Sequence, residues 1–218
     1  MNGAAAVGED RLEVEDLACA AGIRILFDGV GFTLGPGQWI RLRGPNGCGK
    51  STLLRALAGL GRPVGGTVRW RGAPTSDTRE QWHAAFAYQG HLPACKDGLS
   101  AAENLHWQLA LDGEASSPAR LRELLGRVGI ERQARLAYQR LSAGQRRRLG
   151  LARLVALHRP LWLLDEPTTA LDADGQALFG ELLDAHLAAG GLAICATHLD
   201  LPVGAAAIPL ELGGRRGA

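Results

Sequence analysis

Gly44-Pro45-Asn46-Gly47-Cys48-Gly49-Lys50-Ser51 fits the pattern G-x-x-x-x-G-K-[ST], and its flanks decide how the chain is read. Trp39–Arg43 before it is a strand candidate. Ser51–Leu60 after it predicts a helix, with Leu53, Leu54, Leu57 and Ala58 on one face and Gly59, Gly61 and Pro63 to end it. In that setting the glycines let successive backbone N–H groups converge on phosphate oxygens. The helix N-terminus adds its partial positive charge. Lys50 reaches the outer phosphates as a compact point charge, which a planar guanidinium would do poorly. Ser51 offers a hydroxyl to Mg²⁺. A chance glycine-rich turn is the alternative. Against it, all but two of the 24 basic residues are Arg, and one of the two lysines stands here, the other being Lys96.

A second stretch completes the chemistry. Leu161-Trp162-Leu163-Leu164-Asp165-Glu166-Pro167 is an apolar run ending in two carboxylates. An unbroken apolar run predicts a strand buried on both faces. Asp165 at its C-terminal end can hold the Mg²⁺ shell, and Glu166 can polarise an attacking water. Alone, such a strand end would be read as merely solvated. Beside a phosphate loop, the catalytic reading wins.

Outward from these motifs, residues 12–43 read as short strands joined by glycine turns. Ile25–Phe27 and Val30–Leu34 are separate candidates, and Gly35-Pro36-Gly37 is a turn. Val64–Arg71 reads as a turn and strand, and Ala84–Tyr88 as another strand. The middle is helical: Ala101–Leu111, opened by a Ser100/Glu103 capping box, then Pro118–Val128 and Ser142–Leu157. Gln176–Ala189 predicts a helix and Leu192–Ala196 a second buried strand. Alternation of strand and helix makes the core α/β, with a helical insertion at about 92–157 and a loose Gly/Arg tail at 213–218.

Composition bounds the function. The 218 residues fit one domain, with core about 1–91 and 158–218. A net charge of +2 and 5% aromatic residues give neither the field nor the stacking platform for nucleic acid, so no nucleic-acid partner is expected. No apolar run approaches the roughly 18 residues of a membrane helix, and the start has no secretory-signal pattern. Cys19, Cys48, Cys95 and Cys195 make no CxxC pair, so reduced thiols are expected rather than a zinc site or disulfides.

Leu141-Ser142-Ala143-Gly144-Gln145 precedes the acidic strand and opens an Arg-rich helix. By itself it is a helix N-cap. Together with the two motifs above it resembles the LSGGQ signature of ABC-transporter ATPases. Ala170-Leu171-Asp172 looks like the D-loop, and Thr197-His198 looks like the switch histidine. The resemblance implies a P-loop NTPase with a RecA-like core, an N-terminal antiparallel β subdomain and an inserted helical subdomain. It also implies an ATP sandwich. Gly44, Pro45, Asn46, Gly47, Cys48, Gly49, Lys50, Ser51 and Thr52 would hold ATP in one copy. Leu141 to Gln145 of a second copy would cover it, with Asp172 at the D-loop, Ser51 and Asp165 on Mg²⁺, Glu166 as base and His198 at the γ-phosphate.

Gly90-His91-Leu92-Pro93 and Leu99-Ser100-Ala101-Ala102-Glu103-Asn104-Leu105-His106, with LSAGQRRR and WLLDEP, are similar to a narrower family, the ATP-binding subunits of cytochrome c maturation complexes, also called haem exporter ATPases. That family implies integral membrane subunits as partners and a peripheral place on the cytoplasmic face of the bacterial inner membrane. Another bacterial transporter ATPase, or a soluble ABC ATPase, are the alternatives. Two positions depart from the general pattern. His91 falls where the usual Gln of the Q-loop stands, with Gln89 as the other candidate, and Ala21-Gly22-Ile23-Arg24 offers no aromatic for adenine, leaving Arg24 to stack. Cys48, between two loop glycines and near Lys50, is expected to be a reactive thiol that Mg-ATP protects.

Overall fold

The computed structural model describes residues 9–91 and 94–213. In chain order the elements are β1 (Leu12–Ala21), β2 (Arg24–Leu34), β3 (Trp39–Arg43), α1 (Lys50–Leu57), β4 (Gly65–Trp70), β5 (Ala73–Pro74), α2 (Arg79–Ala85) and β6 (Phe86–Gln89). Then follow α3 (Ala101–Leu111), α4 (Pro118–Arg127), α5 (Ala143–Leu157), β7 (Leu161–Asp165), α6 (Ala173–Ala188), β8 (Leu192–Ala196) and β9 (Ile208–Glu211). Leu92, Pro93 and residues 214–218 of the expected tail lie outside the described residues.

The first sheet is antiparallel, in the order β2-β1-β4-β5. Ile25–Phe27 and Val30–Leu34, expected as separate strands, are one. Leu17 pairs with Val30 and Cys19 with Phe27, so Asp28 and Gly29 bulge opposite Ala18. Gly29 takes φ 60° there, and the strand bends without ending.

The second sheet is parallel, in the order β6-β7-β8-β3-β9. Its central strands β7 and β8 are buried on both faces. Trp162, Leu164, Ala193 and Cys195 join the core beneath α3 to α6. Leu161, Leu163, Leu192, Ile194 and Ala196 join the core shared with α1 and the antiparallel sheet. That double burial is why β7 and β8 show no polar alternation. On the helical side, the ring of His186 in α6 stacks on Trp162, centroids 4.0 Å apart, and burial lowers the pKa of the imidazole.

The helix ends follow local rules. Ser100 and Glu103 cap α3 reciprocally: the Ser100 amide donates to Glu103 Oε2 at 2.7 Å and the Glu103 amide to Ser100 Oγ at 3.2 Å. Ser117 caps α4 with Pro118 in its first turn. Two departures from expectation have tertiary causes. Ala84 and Ala85 finish α2 rather than start a strand, because Trp82 and Ala85 bury together at helical spacing. Trp82 donates to the Leu57 carbonyl at 2.9 Å and lies 5.7 Å from the Trp70 ring. The unforeseen β9 is short and mostly exposed, and only its pairing with β3 defines it.

Phe179, fully buried on α6, belongs to the core on the helical side. Phe179→Ala is expected to cost about 3–5 kcal/mol, as a lost aromatic plus its cavity. Urea unfolding followed by tryptophan fluorescence measures this. A loss below about 1 kcal/mol would mean that α6 does not seal the sheet.

Candidate nucleotide site

The site is built by strand ends that stop level. Leu42 of β3 and Asp165 of β7 both pair with Ala196 of β8. The three loops that follow therefore leave the parallel sheet at one edge, where such sheets place their ligands.

The loop after β3 needs its glycines. Gly44 has φ 145°, and a Cβ there would sit 2.3 Å from the Leu212 carbonyl oxygen. Gly49, with φ 108°, lies under Phe27, which a Cβ would meet at 2.9 Å. Lys50 opens α1 and is 9% exposed. Its ammonium donates to the carbonyls of Gly44 at 2.7 Å and Pro45 at 3.3 Å. A cation is thus held inside the loop by neutral carbonyl dipoles, available to stronger anionic acceptors.

A cavity of about 310 Å³ opens at this point. Asn46, Gly47, Gly49, Lys50, Ser51 and Thr52 line it from the loop and α1, Asp165 and Glu166 from the end of β7, His91 from beyond β6 and Leu26 from β2. Asp165 is 4% exposed. Glu166 takes φ 50°, a left-handed conformation that costs a non-glycine residue on the order of 1–3 kcal/mol. Its amide donates to the Ala196 carbonyl at 2.9 Å, which ties this backbone to β8. His198, just beyond β8, brings Nε2 to 3.6 Å from Glu166 Oε1.

Other expected residues lie elsewhere. Gly44, Pro45 and Cys48 shape the loop without lining the cavity. Leu141 to Gln145 form a separate helix start. Ser142 Oγ accepts from the Gln145 amide at 3.2 Å, and the Ser142 amide donates to Gln145 Oε1 at 2.9 Å. A Cβ on Gly144 would lie 3.0 Å from the Ala170 carbonyl oxygen, so this turn seats against the loop after β7. Asp172 caps α6 through the Gly175 amide at 2.9 Å and pairs with Arg148 at 3.0 Å. The amide first, then the guanidinium, hold its carboxyl below the ordinary range. None of residues 141–145 or Asp172 is among the cavity-lining residues.

His91 stands at the cavity wall and Gln89 does not. The Gln89 side chain is packed at Gly150 of α5, where a Cβ would meet its Nε2 at 2.6 Å. It borders a neighbouring hollow with Cys95, Gln108 and Arg153. Arg24 is exposed and does not line the cavity. Phe27, the nearby aromatic, is committed to Gly49. Leu26, its neighbour on β2, is the apolar residue at the cavity and also approaches Gly49, where a Cβ would lie 3.3 Å from its own.

Arg147 is a residue of the Arg-rich helix for which the sequence assigned no role. It is 8% exposed, and its Nε donates to the Thr169 carbonyl at 3.4 Å. Burial lowers the pKa of its guanidinium, while the charges of Asp165 and Glu166 act in the opposite sense. A buried cation therefore balances the two carboxylates.

Cys48 overturns an expectation. The thiol is 9% exposed and belongs to the core beneath the loop. Its sulfur would lie 2.7 Å from a Cβ on Gly44, and its Cβ lies against Gly213. The Cys48 amide donates to the Pro45 carbonyl at 3.3 Å within the loop, and the side chain packs into the core rather than toward the cavity. N-Ethylmaleimide is expected to label Cys48 negligibly in native protein, with or without Mg-ATP, and fully after denaturation. Peptide mapping checks this, and rapid native labelling that Mg-ATP blocks would contradict the buried orientation.

The ABC transporter family model matches residues 27–169. The cytochrome c biogenesis ATP-binding export protein CcmA of Methylococcus capsulatus is 47% identical over 189 residues, 87% of this chain and 91% of that protein. The protein of the same description from Aromatoleum aromaticum is 44% identical over 202 residues, 92% and 94% of the two chains. Among solved structures, an ATP-binding subunit of an ABC transporter superposes with a TM-score of 0.74 at 27% identity, covering 86% of this chain and 80% of that one. With its P-loop, acidic strand end and capped signature helix in these places, the chain belongs to the ABC transporter ATPases and, within them, to the family of CcmA cytochrome c biogenesis ATP-binding export proteins.

Proposed function

We propose that this chain is the ATP-hydrolysing subunit of a bacterial membrane complex for cytochrome c biogenesis, with haem handling as the work it drives. We take it as one ATP-binding domain, its core about 1–91 and 158–218 and its helical subdomain about 92–157. None of the described helices is long and apolar enough to cross a membrane. Integral membrane subunits would therefore carry the passenger, and the chain would sit on the cytoplasmic face of the inner membrane. Another bacterial transporter, or a role apart from transport, would share the chemistry but not the relatives' description. A pull-down from membranes that names the partner decides among these.

The single observation that carries the catalytic reading is a division of labour. Lys50, Ser51, Asp165, Glu166 and His91 share one cavity, while Ser142 and Gly144 face elsewhere. This fits the family's sandwich, in which one chain would supply half of a site and a second copy, head to tail, the other half.

Ser51 and Asp165 are hard oxygen donors on the same cavity, the set that suits Mg²⁺ bound jointly with phosphates. When bound there, Mg²⁺ would neutralise charge on the β- and γ-phosphates. The residues of the chain do the rest. Lys50 exchanges its carbonyl partners for phosphate oxygens. Loop amides from Asn46 to Thr52 orient the triphosphate. Glu166 accepts the proton of the attacking water, and His198, 3.6 Å away, fixes that carboxylate and the γ-phosphate geometry. Arg147 keeps the paired carboxylates tolerable next to an anionic ligand. In the partner copy, the Ser142 helix start offers a second set of amides to the γ-phosphate.

Two variants test the scheme. Glu166→Gln is expected to bind ATP, to lose about 100-fold or more in hydrolysis, and to run as a dimer in size-exclusion chromatography with ATP and Mg²⁺. A monomer with wild-type turnover would overturn the role of Glu166. Ser142→Arg is expected to bind ATP within about twofold of wild type yet hydrolyse none, since its bulk meets only the partner's nucleotide. Loss of ATP binding by the monomer would overturn the division between half-sites.

A further inference from the structure

Beyond His198 the chain enters a stretch without regular structure that runs to β9. Its two ends are well tied. Thr197 is fully buried, and its amide donates to the Leu42 carbonyl at 3.3 Å. Farther on, the Gly204 amide donates to the Asp184 carboxylate at 3.0 Å, and the Trp39 indole donates to the Ala205 carbonyl at 2.9 Å. Between them stands the side chain of His198, half exposed and held by nothing stronger than its 3.6 Å approach to Glu166.

Asp200 fills that gap. One carboxylate oxygen, Oδ1, accepts from Arg41 Nη1 and from Arg43 Nη2, the latter at 2.7 Å. Arg41 and Arg43 are two residues apart on β3, so they project from the same face of the strand. Both arginine side chains are mostly covered, at 23% and 35% exposure. Among the described residues, neither Nε has a hydrogen-bond partner, and Asp200 is the only carboxylate paired with either group. Two like charges side by side on a strand repel, and the shared anion offsets that repulsion. Asp200 itself is 84% exposed, so the pair adds little to stability; what the doubled, charge-assisted contact gives is geometry, one oxygen held between two guanidinium groups of one strand.

We infer that Asp200, clamped by Arg41 and Arg43, is the positioning residue that sets His198 against Glu166 and the γ-phosphate. The strand that carries the clamp is the strand that leads into the phosphate loop, since Gly44 follows Arg43 directly. The cradle and the histidine are thereby referenced to one rigid element. Any shift of β3 relative to β8 moves both together. This inference rests on the catalytic placing of His198 given above.

The test is a double-mutant cycle on the full chain with Mg-ATP. Asp200→Asn keeps the volume and removes the charge. It is expected to lower kcat about tenfold and to leave ATP affinity within about twofold of wild type. His198→Ala is expected to lower kcat further. The combined variant should be no slower than His198→Ala alone, because Asp200 acts only through that ring. Arg41→Met with Arg43→Met, which removes the cations instead of the anion, should reproduce the Asp200→Asn phenotype. If His198→Ala slows hydrolysis but Asp200→Asn does not, the clamp is overturned and the role of His198 stands. Fully additive losses would likewise overturn it, by showing that Asp200 acts independently of His198. If His198→Ala turns over at the wild-type rate, the reading of His198 itself fails and the clamp with it.

Discussion

Parallel pairing of β3, β8 and β7 is the constraint on which the rest of the molecule depends. Because Leu42 and Asp165 both lie level with Ala196, the phosphate loop, the acidic pair and His198 leave the sheet at one edge. A slip of one residue in either pairing would turn the alternating side chains to the wrong faces. It would also carry Asp165 out of reach of Ser51. The sheet holds its register by burial on both sides. Every residue of β7 and β8 is buried, and those two strands supply apolar atoms to both cores.

Charge at this edge is arranged on the same logic. Two carboxylates and an anionic ligand in one cavity would repel. Lys50 answers from the loop and Arg147 from α5, each mostly buried and each held by backbone carbonyls. A cation satisfied by neutral dipoles needs no fixed anionic partner, so it remains able to meet phosphate. Where a fixed position matters more than availability, the chain uses ion pairs instead. Arg148 is paired with Asp172 beside the signature helix, and Arg153 with Asp112 at the end of α3.

The loop after β3 combines conformational freedom with close approach. Gly44 and Gly49 have no room for a Cβ, the one facing Leu212 and the other Phe27. Gly47 has open space around it and is required only for its φ of 79°. Cys48, which could be almost any small residue by motif alone, takes the side of the loop that faces the core. Its thiol is buried there and does not line the cavity.

Sequence alone determined the local chemistry: the glycine loop and its Lys50, the two carboxylates after an apolar run, the capped helices at Ser100 and Ser142, and the two strands buried on both faces. These are legible because spacing and residue type act over a few neighbours, through turn geometry, capping and side-chain periodicity. Family resemblance then supplied the pairing of half-sites, which no spacing within one chain reveals. Tertiary structure decided what depends on distant partners. It merged two expected strands through a bulge opposite Ala18, and gave Ala84 and Ala85 to a helix because Trp82 packs on Trp70. It made β9 a strand only by pairing with β3. It placed His91 rather than Gln89 at the cavity wall, because Gly150 on α5 leaves a recess that the Gln89 side chain fills. It buried Arg147 against the loop after β7, within the influence of the carboxylate charges, where the sequence offered only a run of three arginines. In each case the deciding contact joins residues far apart in the chain, and local propensity carries no record of such contacts.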